Sequence, residues 1–264
     1  MELTLHRYGD GMVIIRVEDG ETQDFVVYKS IICQSSDFVN NELKGPWRES
    51  EDGVIKLPTT SVEAFNIYHR WLLRGKLHSK PSAEVVDNTH EEFKNHALVK
   101  RAILIGAILL CQEFYDLAKT SFLGHYLLDT AFVDTTNAAI AQCTEDLASK
   151  MPVFPTRFGV EFYDVVPEGS STRSLVADLA AWTSPAEPIE SLKRGPSAQQ
   201  SKEAHADFTM DVFQALTHRF MATSAPISPL EVWKTSCKYH SHGDDKPCYR
   251  EKNKEYVVIP GGMA

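Results

Sequence analysis

No stretch of this chain carries a dense run of lysine and arginine. Phosphate contacts need clustered basic side chains, and the nearest approach, KRGPS from Lys193, is too short to supply them. With 27 Lys and Arg against 36 Asp and Glu, and a formal net charge of −9, a nucleic-acid-binding role is not expected. Long apolar runs are missing too. The longest, AILIGAILLC from Ala102 to Cys111, covers about half of the ~20 residues that a bilayer requires; it reads as a buried helix, and no membrane span is expected. The start, MELTLHRYGDG, lacks the basic-then-apolar layout of a signal peptide. Cysteine is sparse, 5 widely scattered residues, which suggests reduced thiols in the cytoplasm or nucleus rather than a disulfide framework. There is no Gly-x-x-x-x-Gly-Lys loop, His-Glu-x-x-His or Gly-x-Ser-x-Gly, so the familiar nucleotide-binding, zinc-protease and hydrolase signatures are absent. No internal repeat is present, which removes solenoids and propellers.

What is there belongs to a globular protein: 43% hydrophobic and 24% charged residues over 264 positions, enough for one large domain or two ordinary ones. In MVIIRVEDGETQDFVVY two β-rich runs, Met12–Val17 and Asp24–Tyr28, flank the polar turn EDGETQ and predict a hairpin. After Lys29 and Ser30 the period becomes helical through Ile32, Ser35 or Ser36, Val39 and Leu43, until Gly45 and Pro46 stop it. GVIKLP predicts a short strand. A helix follows with Ser61 as N-cap, Glu63 in its first turn, an apolar face of Ala64 or Phe65, Tyr68, Trp71 and Leu72, and Gly75 as C-cap.

HSKPSAEVVDNTH reads as a surface loop. From Phe93 to about Phe132 the pattern is helical, with breaks expected near Phe114 and Gly124, and another helix is expected over Thr136–Ala148. MPVFPTRFG reads as a proline-bounded extended stretch, and SSTRSLVADLAAW as a serine-capped amphipathic helix ending at Trp182. TSPAEPIESLKRGPSAQQSK has the composition of a flexible linker, and Ala204–Met221 is a further helix. VVIPGGMA fits either a strand or a frayed tail. Sheet first and helices after indicate an α+β fold with a helical extension.

Several separated motifs then occur in one order. Phe25, Val27, Tyr28, Lys29, Ile32, Cys33, Ser36, Phe38 and Val39 are followed by Pro46-Trp47-Arg48-Glu49-Ser50, by Ile55-Lys56-Leu57-Pro58, and by Trp71, Leu72 and Gly75. This series, with LVKRAILIGAILLCQEF where a further helical hairpin belongs, resembles the BTB/POZ domain, most of all the form abundant in fungal genomes. The resemblance covers about the first 125 residues. It implies a BTB/POZ fold, a small sheet capped by helical hairpins, over residues 8–130, followed by a mainly α-helical C-terminal region over 131–230 with a flexible segment near 183–203, and a Cys/His-containing tail over 231–264. Tyr28 stands where the family has histidine, and Lys29 at its basic position. Burying Lys29 without a partner would be costly, so either Asp10 reaches it or it points to solvent; the family's acidic position is Met12 here. Ala107 and Ile108 stand where relatives carry charge. They make either an additional apolar contact surface or packing against the C-terminal helices.

Cys33 lies among serines and raises the question of a nucleophile. A reactive thiol needs a positioned base and a lowered pKa. No histidine is near in the sequence, and Cys33 adjoins Ile32 on the side of a helix that should be buried, so a packing role is expected.

The remaining constellation is CKYHSHGDDKPC, in which Cys237, His240, His242 and Cys248 offer the two ligand types zinc prefers. Four such ligands would close a tetrahedral, structural zinc site and fasten the tail; the bland alternative is an exposed loop. Asp244 or Asp245 in place of one ligand would reopen catalysis. Glu91 and Glu92 read as a solvated helix start, GVEFYD as half-buried packing, and Ser170-Ser171-Thr172 as a helix cap.

These readings point to a non-enzymatic protein–protein interaction module. The resemblance implies self-association, as a homodimer, or docking to a cullin as a ubiquitin ligase substrate adaptor. The alternatives are an oligomerising scaffold or transcription regulator without a ligase role, and, further away, a zinc-dependent hydrolase.

Overall fold

In β1 (Met12–Asp19), Val13, Ile15 and Val17 alternate with Ile14, Arg16 and Glu18, so that one face of the strand is buried and the other looks outward. β1 pairs antiparallel with β2 (Glu21–Tyr28) and parallel with β3 (Val54–Leu57), giving a mixed sheet of order β2-β1-β3. Phe25 and Val27 of β2 and Ile55 and Leu57 of β3 complete the buried face. On the other face Arg16 stands opposite Asp24 and binds both its carboxylate oxygens at 2.7 Å. The computed structural model of the chain describes residues 11–45, 52–77, 79, 96–148, 156–183, 201–223, 225–242 and 248–252. It is α+β and mostly helical, as the sequence pattern indicated.

The hairpin turn is tighter than expected. Pairing continues to Asp19 opposite Glu21, with Gly20 at φ 73 between them. Backbone pairing needs no apolar side chain, so polar Glu18 and Thr22 join the ladder, and glycine supplies the positive φ that the tight reversal needs.

The expected single helix after the hairpin is two, α1 (Lys29–Ser35) and α2 (Asp37–Lys44). Ser36 between them is extended and buried; its hydroxyl accepts from the Val39 N–H at 3.1 Å and donates to the Leu127 carbonyl at 2.6 Å. A serine that caps the second helix competes with helix continuation. Lys29 is exposed, so it points to solvent. α3 (Val62–Arg74) matches its sequence signals closely. Ser61 accepts from the Ala64 N–H at 3.1 Å, and Gly75 ends the helix at φ 63.

α4 (His96–Tyr126) is one helix of 31 residues, without the breaks expected at Phe114 and Gly124. Phe114 is a core residue. Gly124 is there for close approach: a Cβ on it would lie 2.9 Å from Val133 Cγ2. The real stop is at Leu127–Asp129. Leu128 takes φ 54, its N–H bonds to His125 O at 3.2 Å, and the Asp129 N–H bonds to Gly124 O at 3.0 Å, the helix-ending pattern usually made with glycine. α5 (Thr130–Ala148) therefore starts earlier than Thr136. Its polar first turns bury Asp134, Thr136 and Asn137.

α6 (Thr156–Val165) replaces the second half of the expected extended stretch, with Val160, Phe162 and Tyr163 buried. Proline ahead of a first turn is compatible with a helix start. α7 (Ser171–Thr183), α8 (Lys202–Met221), α9 (Pro229–Thr235) and α10 (Tyr249–Lys252) follow. Ser201 caps α8 through the Ala204 N–H at 3.2 Å. No helix among the described residues is long and apolar enough to cross a membrane. The loop at 80–90, Pro46–Ser50, Glu91 and Glu92, the side chains of Ala107 and Ile108, the linker over 184–200 and the closing VVIPGGMA lie outside the described residues.

The chain divides into two compact units: Met1–His78 with Lys119–Thr135 and His242–Ala264, and Ser79–Ala118 with Thr136–Ser241. In the first, the sheet, α1 to α3 and the α4–α5 corner share one core. Its aromatic centre has Phe25 and Phe65 with ring centroids 4.7 Å apart, Tyr68 and Phe132 4.7 Å apart, and Trp71 and Phe132 4.9 Å apart. Asp129 is buried at this corner. It accepts from the Phe132 N–H at 3.0 Å, from Tyr68 Oη at 3.1 Å, and from the Ser35 hydroxyl. In the second unit, α6, α7 and α8 pack together. Tyr163 and Phe208 lie 5.3 Å apart, and Arg173 donates to the carbonyls of Tyr163 at 2.7 Å and Val166 at 2.8 Å, closing the end of α6.

Two predictions follow from these cores. A Cβ on Gly159 would lie 2.4 Å from the buried Phe208 ring. Gly159→Ala gains ~1 kcal/mol of helix propensity but overpacks the core, and a net destabilisation of about 2 kcal/mol is expected in urea unfolding; an unchanged or higher midpoint would contradict this packing.

Burial raises the Asp129 pKa to about 6, against its hydrogen bonds. The folded state therefore holds its proton more tightly than the unfolded chain does. The stabilisation this gives is complete below the unfolded carboxyl pKa and is lost as pH rises through about 6. Burial lowers His125 to about 4, a contribution of opposite sign that is present above the ordinary histidine pKa and lost as pH falls. Asp129→Asn keeps a capping oxygen and removes only the first. Its stability relative to wild type is expected to rise by ~2 kcal/mol between pH 4 and pH 7, read from thermal unfolding across that range; a constant difference would refute the assignment.

Candidate metal centre

The segment after α9 folds back on itself because a backbone turn joins the His240 N–H to the Cys237 carbonyl at 3.0 Å. This i to i+3 turn brings the first two ligand types of CKYH to one side of the chain. Two residues between them do the anchoring. Tyr239 is buried and donates its hydroxyl to Asp178 on α7 at 2.7 Å. Lys238 binds the same carboxylate oxygen at 2.7 Å, with its ammonium 5.0 Å from the Tyr239 ring centre. Burial and the neighbouring Asp178 charge raise the Tyr239 pKa, so its hydroxyl stays a neutral donor.

The backbone is held as firmly as the side chains. Asn137 on α5 donates to the Tyr239 carbonyl at 2.9 Å and to Ser171 Oγ at 3.1 Å, and accepts from the Thr172 hydroxyl at 2.7 Å. Ser171 Oγ lies 2.8 Å from Ser241 Oγ. An amide whose donors and acceptor are all used is rigid, and rigid support is what a ligand loop requires.

Cys237, His240, His242 and Cys248 come together: one ligand atom from each lies within 4.8 Å of every other. Cys237 is exposed, and His240, His242 and Cys248 are half-buried. Tetrahedral zinc with sulfur at ~2.3 Å and nitrogen at ~2.0 Å sets ligand–ligand edges of about 3.3–3.8 Å. Two thiols and two imidazoles fit a divalent ion of zinc type, and four protein ligands leave no position for a reacting water. Asp244 and Asp245 lie outside the described residues.

Cys33 belongs elsewhere. It is half-buried against the hydrophobic core of the first unit, and burial pushes its thiol pKa up, with Lys29 and Lys44 opposing. That shift is opposite to the one a nucleophile needs. Val160, Phe162 and Tyr163 of GVEFYD are fully buried packing rather than half-buried. Of the expected cap residues, Ser170 alone caps α7, accepting from the Arg173 N–H at 3.2 Å; Ser171 and Thr172 lie inside the helix and serve the Asn137 network. Asn137, Asp178 and Tyr239 carried no sequence signal beyond being polar groups in apolar surroundings.

A cleft of about 190 Å³ opens beside Tyr239, lined by Trp182, Arg219 and Ile227 among others. It is smaller than the ~300–1,000 Å³ of ordinary ligand pockets. Arg219 fills part of it, stacked 4.3 Å from the Trp182 ring centre and donating to the Ala181 carbonyl at 3.1 Å.

Comparison of the chain with protein families, with curated proteins and with solved structures finds no match.

A zinc-loaded preparation is expected to contain one metal per chain, and cobalt substitution to give thiolate-to-metal absorption. Cys248→Ala should lose both and unfold about 5 °C lower, roughly 2 kcal/mol for a chain of this size. Full metal content in that variant would rule out this ligand set.

Proposed function

We propose that this protein is a non-enzymatic interaction module of BTB/POZ type whose Cys/His segment is fastened by structural zinc. The observation that carries this reading is that the residues of the resemblance form one core. Phe25, Val27, Ile32, Val39, Ile55, Leu57 and Trp71 are all buried in the first unit, with Cys33 and Phe38 packed against them. Gly75 ends α3 as its motif position suggests, and Ser36 is buried at the break between α1 and α2. Motif residues spent on a shared core are those of a scaffold, and a scaffold acts through its surface.

That surface has an apolar end. Met12 and Val26 are exposed on the outer face of the sheet, with Ile14 opposite Val26. Beyond them the same face turns charged with Arg16 and Asp24. An apolar patch bordered by paired charge suits a protein partner better than a small molecule. In this reading the sheet face docks the partner, a cullin for a ligase adaptor or another protein for a scaffold, and the C-terminal helices select the client.

The test is affinity purification from the native cell, comparing wild type with Met12→Asp plus Val26→Asp. A partner recovered in stoichiometric amount and lost at least tenfold from the variant is the expected result. A cullin among the recovered proteins identifies the adaptor, and its absence with another stoichiometric partner identifies the scaffold. Equal recovery by both proteins would refute the docking face, and hydrolytic activity that vanishes with the metal would refute the non-enzymatic reading.

A further inference from the structure

α8 is apolar on two sides. Its inner side buries Ala204, Phe208, Val212 and Leu216 in the second unit. At ~100° per residue, Met210, Phe213, Thr217, Phe220 and Met221 fall together on the outer side. Their large apolar members are exposed by 61% at Met210, 49% at Phe213, 76% at Phe220 and 78% at Met221. The spacing of Met210, Phe213, Thr217 and Phe220, three then four then three residues, is that of a seam between two paired helices. Surface helices do not ordinarily carry such a second seam, because bare apolar side chains gain nothing in water.

The area decides what can cover it. Side chains of ~150–250 Å² exposed to these fractions amount to roughly 500 Å² of apolar surface. Interfaces are on average somewhat more than half apolar, so a contact centred on this stripe would bury about 800–900 Å² per partner. That is the size of a standard stable interface.

The stripe also fits itself. When two copies of α8 lie antiparallel about a twofold axis near Ala215, Phe213 of each faces Thr217 of the other, and Met210 faces Phe220. Large then meets small at the centre, as knobs-into-holes packing requires. Thr217 keeps its hydroxyl on the Phe213 carbonyl at 2.8 Å, which leaves its methyl to the seam. Polar Glu203, Gln214 and His218 are exposed on the same helix and supply a rim.

We propose that α8 is a homodimerisation helix, and that two copies of this chain pair antiparallel through the Met210, Phe213, Thr217, Phe220 stripe. This pairing is independent of the sheet face proposed above for a partner.

Sedimentation equilibrium of the 264-residue chain tests it. Wild type is expected at twice 29.6 kDa at concentrations of about 50 µM. Phe213→Asp with Phe220→Asp should weaken the dimer at least ~100-fold, and Thr217→Lys, which sets like charges near the axis, at least ~10-fold. Far-UV circular dichroism verifies folding; should the double variant unfold, Thr217→Lys, at an exposed polar position, decides alone. A wild-type monomer would overturn the proposal, because something other than a second copy then covers the stripe. A dimer that both folded variants leave intact would overturn it as well, because the copies then pair elsewhere.

Discussion

Because Asp129 is buried, its carboxyl group must find its hydrogen-bond partners inside the protein, and three parts of the first unit supply them. Ser35 comes from the end of α1, Tyr68 from the middle of α3, and the Phe132 amide from the start of α5. A buried polar group without partners costs more than most single contacts return. Two of the three donors come from distant helices, so the carboxyl group ties α1 and α3 to the α4–α5 corner. The aromatic cluster of Phe65, Tyr68, Trp71 and Phe132 supplies the bulk of the apolar burial around it, while the carboxyl group decides which arrangement of those rings is accepted.

The same principle governs, in the other unit, the turn that carries Cys237 and His240. Asn137 spends its side-chain amide on the Tyr239 backbone and on the hydroxyls of α7. Tyr239 and Lys238 converge on Asp178. The turn that carries Cys237 and His240 is thus positioned by buried hydrogen bonds that involve no ligand atom. Ordering a turn costs roughly 1–2 kcal/mol per residue, and for Cys237 to His240 that cost is met by these bonds before any ion arrives.

Much of this was legible in the sequence, and what was not has a common cause. The hairpin strands, the cap residues of α3 and the four-ligand cluster are local patterns, each complete within about a dozen residues, and each was read from residue type and spacing. The failures are places where distant contacts overrule local preference. Ser36 breaks a helical run because its hydroxyl caps α2 and is held in place by the carbonyl of Leu127, far along the chain. Gly124 reads as a helix breaker but sits inside α4, where Phe132 and Val133 come close. α5 begins ahead of the expected Thr136, and within its buried polar turns Asn137 finds partners on Ser171, Thr172 and Tyr239 that no local pattern encodes. Asn137 and Tyr239 are 102 positions apart, beyond the reach of any spacing rule.

Leu128 shows where such long-range control leads. A leucine at φ 54 is in a backbone state that costs an L-residue about 1–2 kcal/mol, and nothing in its own side chain favours it. The corner between α4 and α5 is instead imposed by Asp129 capping the next helix and by the Leu127 carbonyl engaging Ser36. The cap is local, three residues from the amide it serves, whereas the Ser36 bond reaches back to a helix made earlier in the chain. The corner between α4 and α5 thus joins a local signal, the Asp129 cap, to a brace from the N-terminal helices, and the backbone of Leu128 takes the conformation that satisfies both. A strained leucine marks the place where those two demands meet.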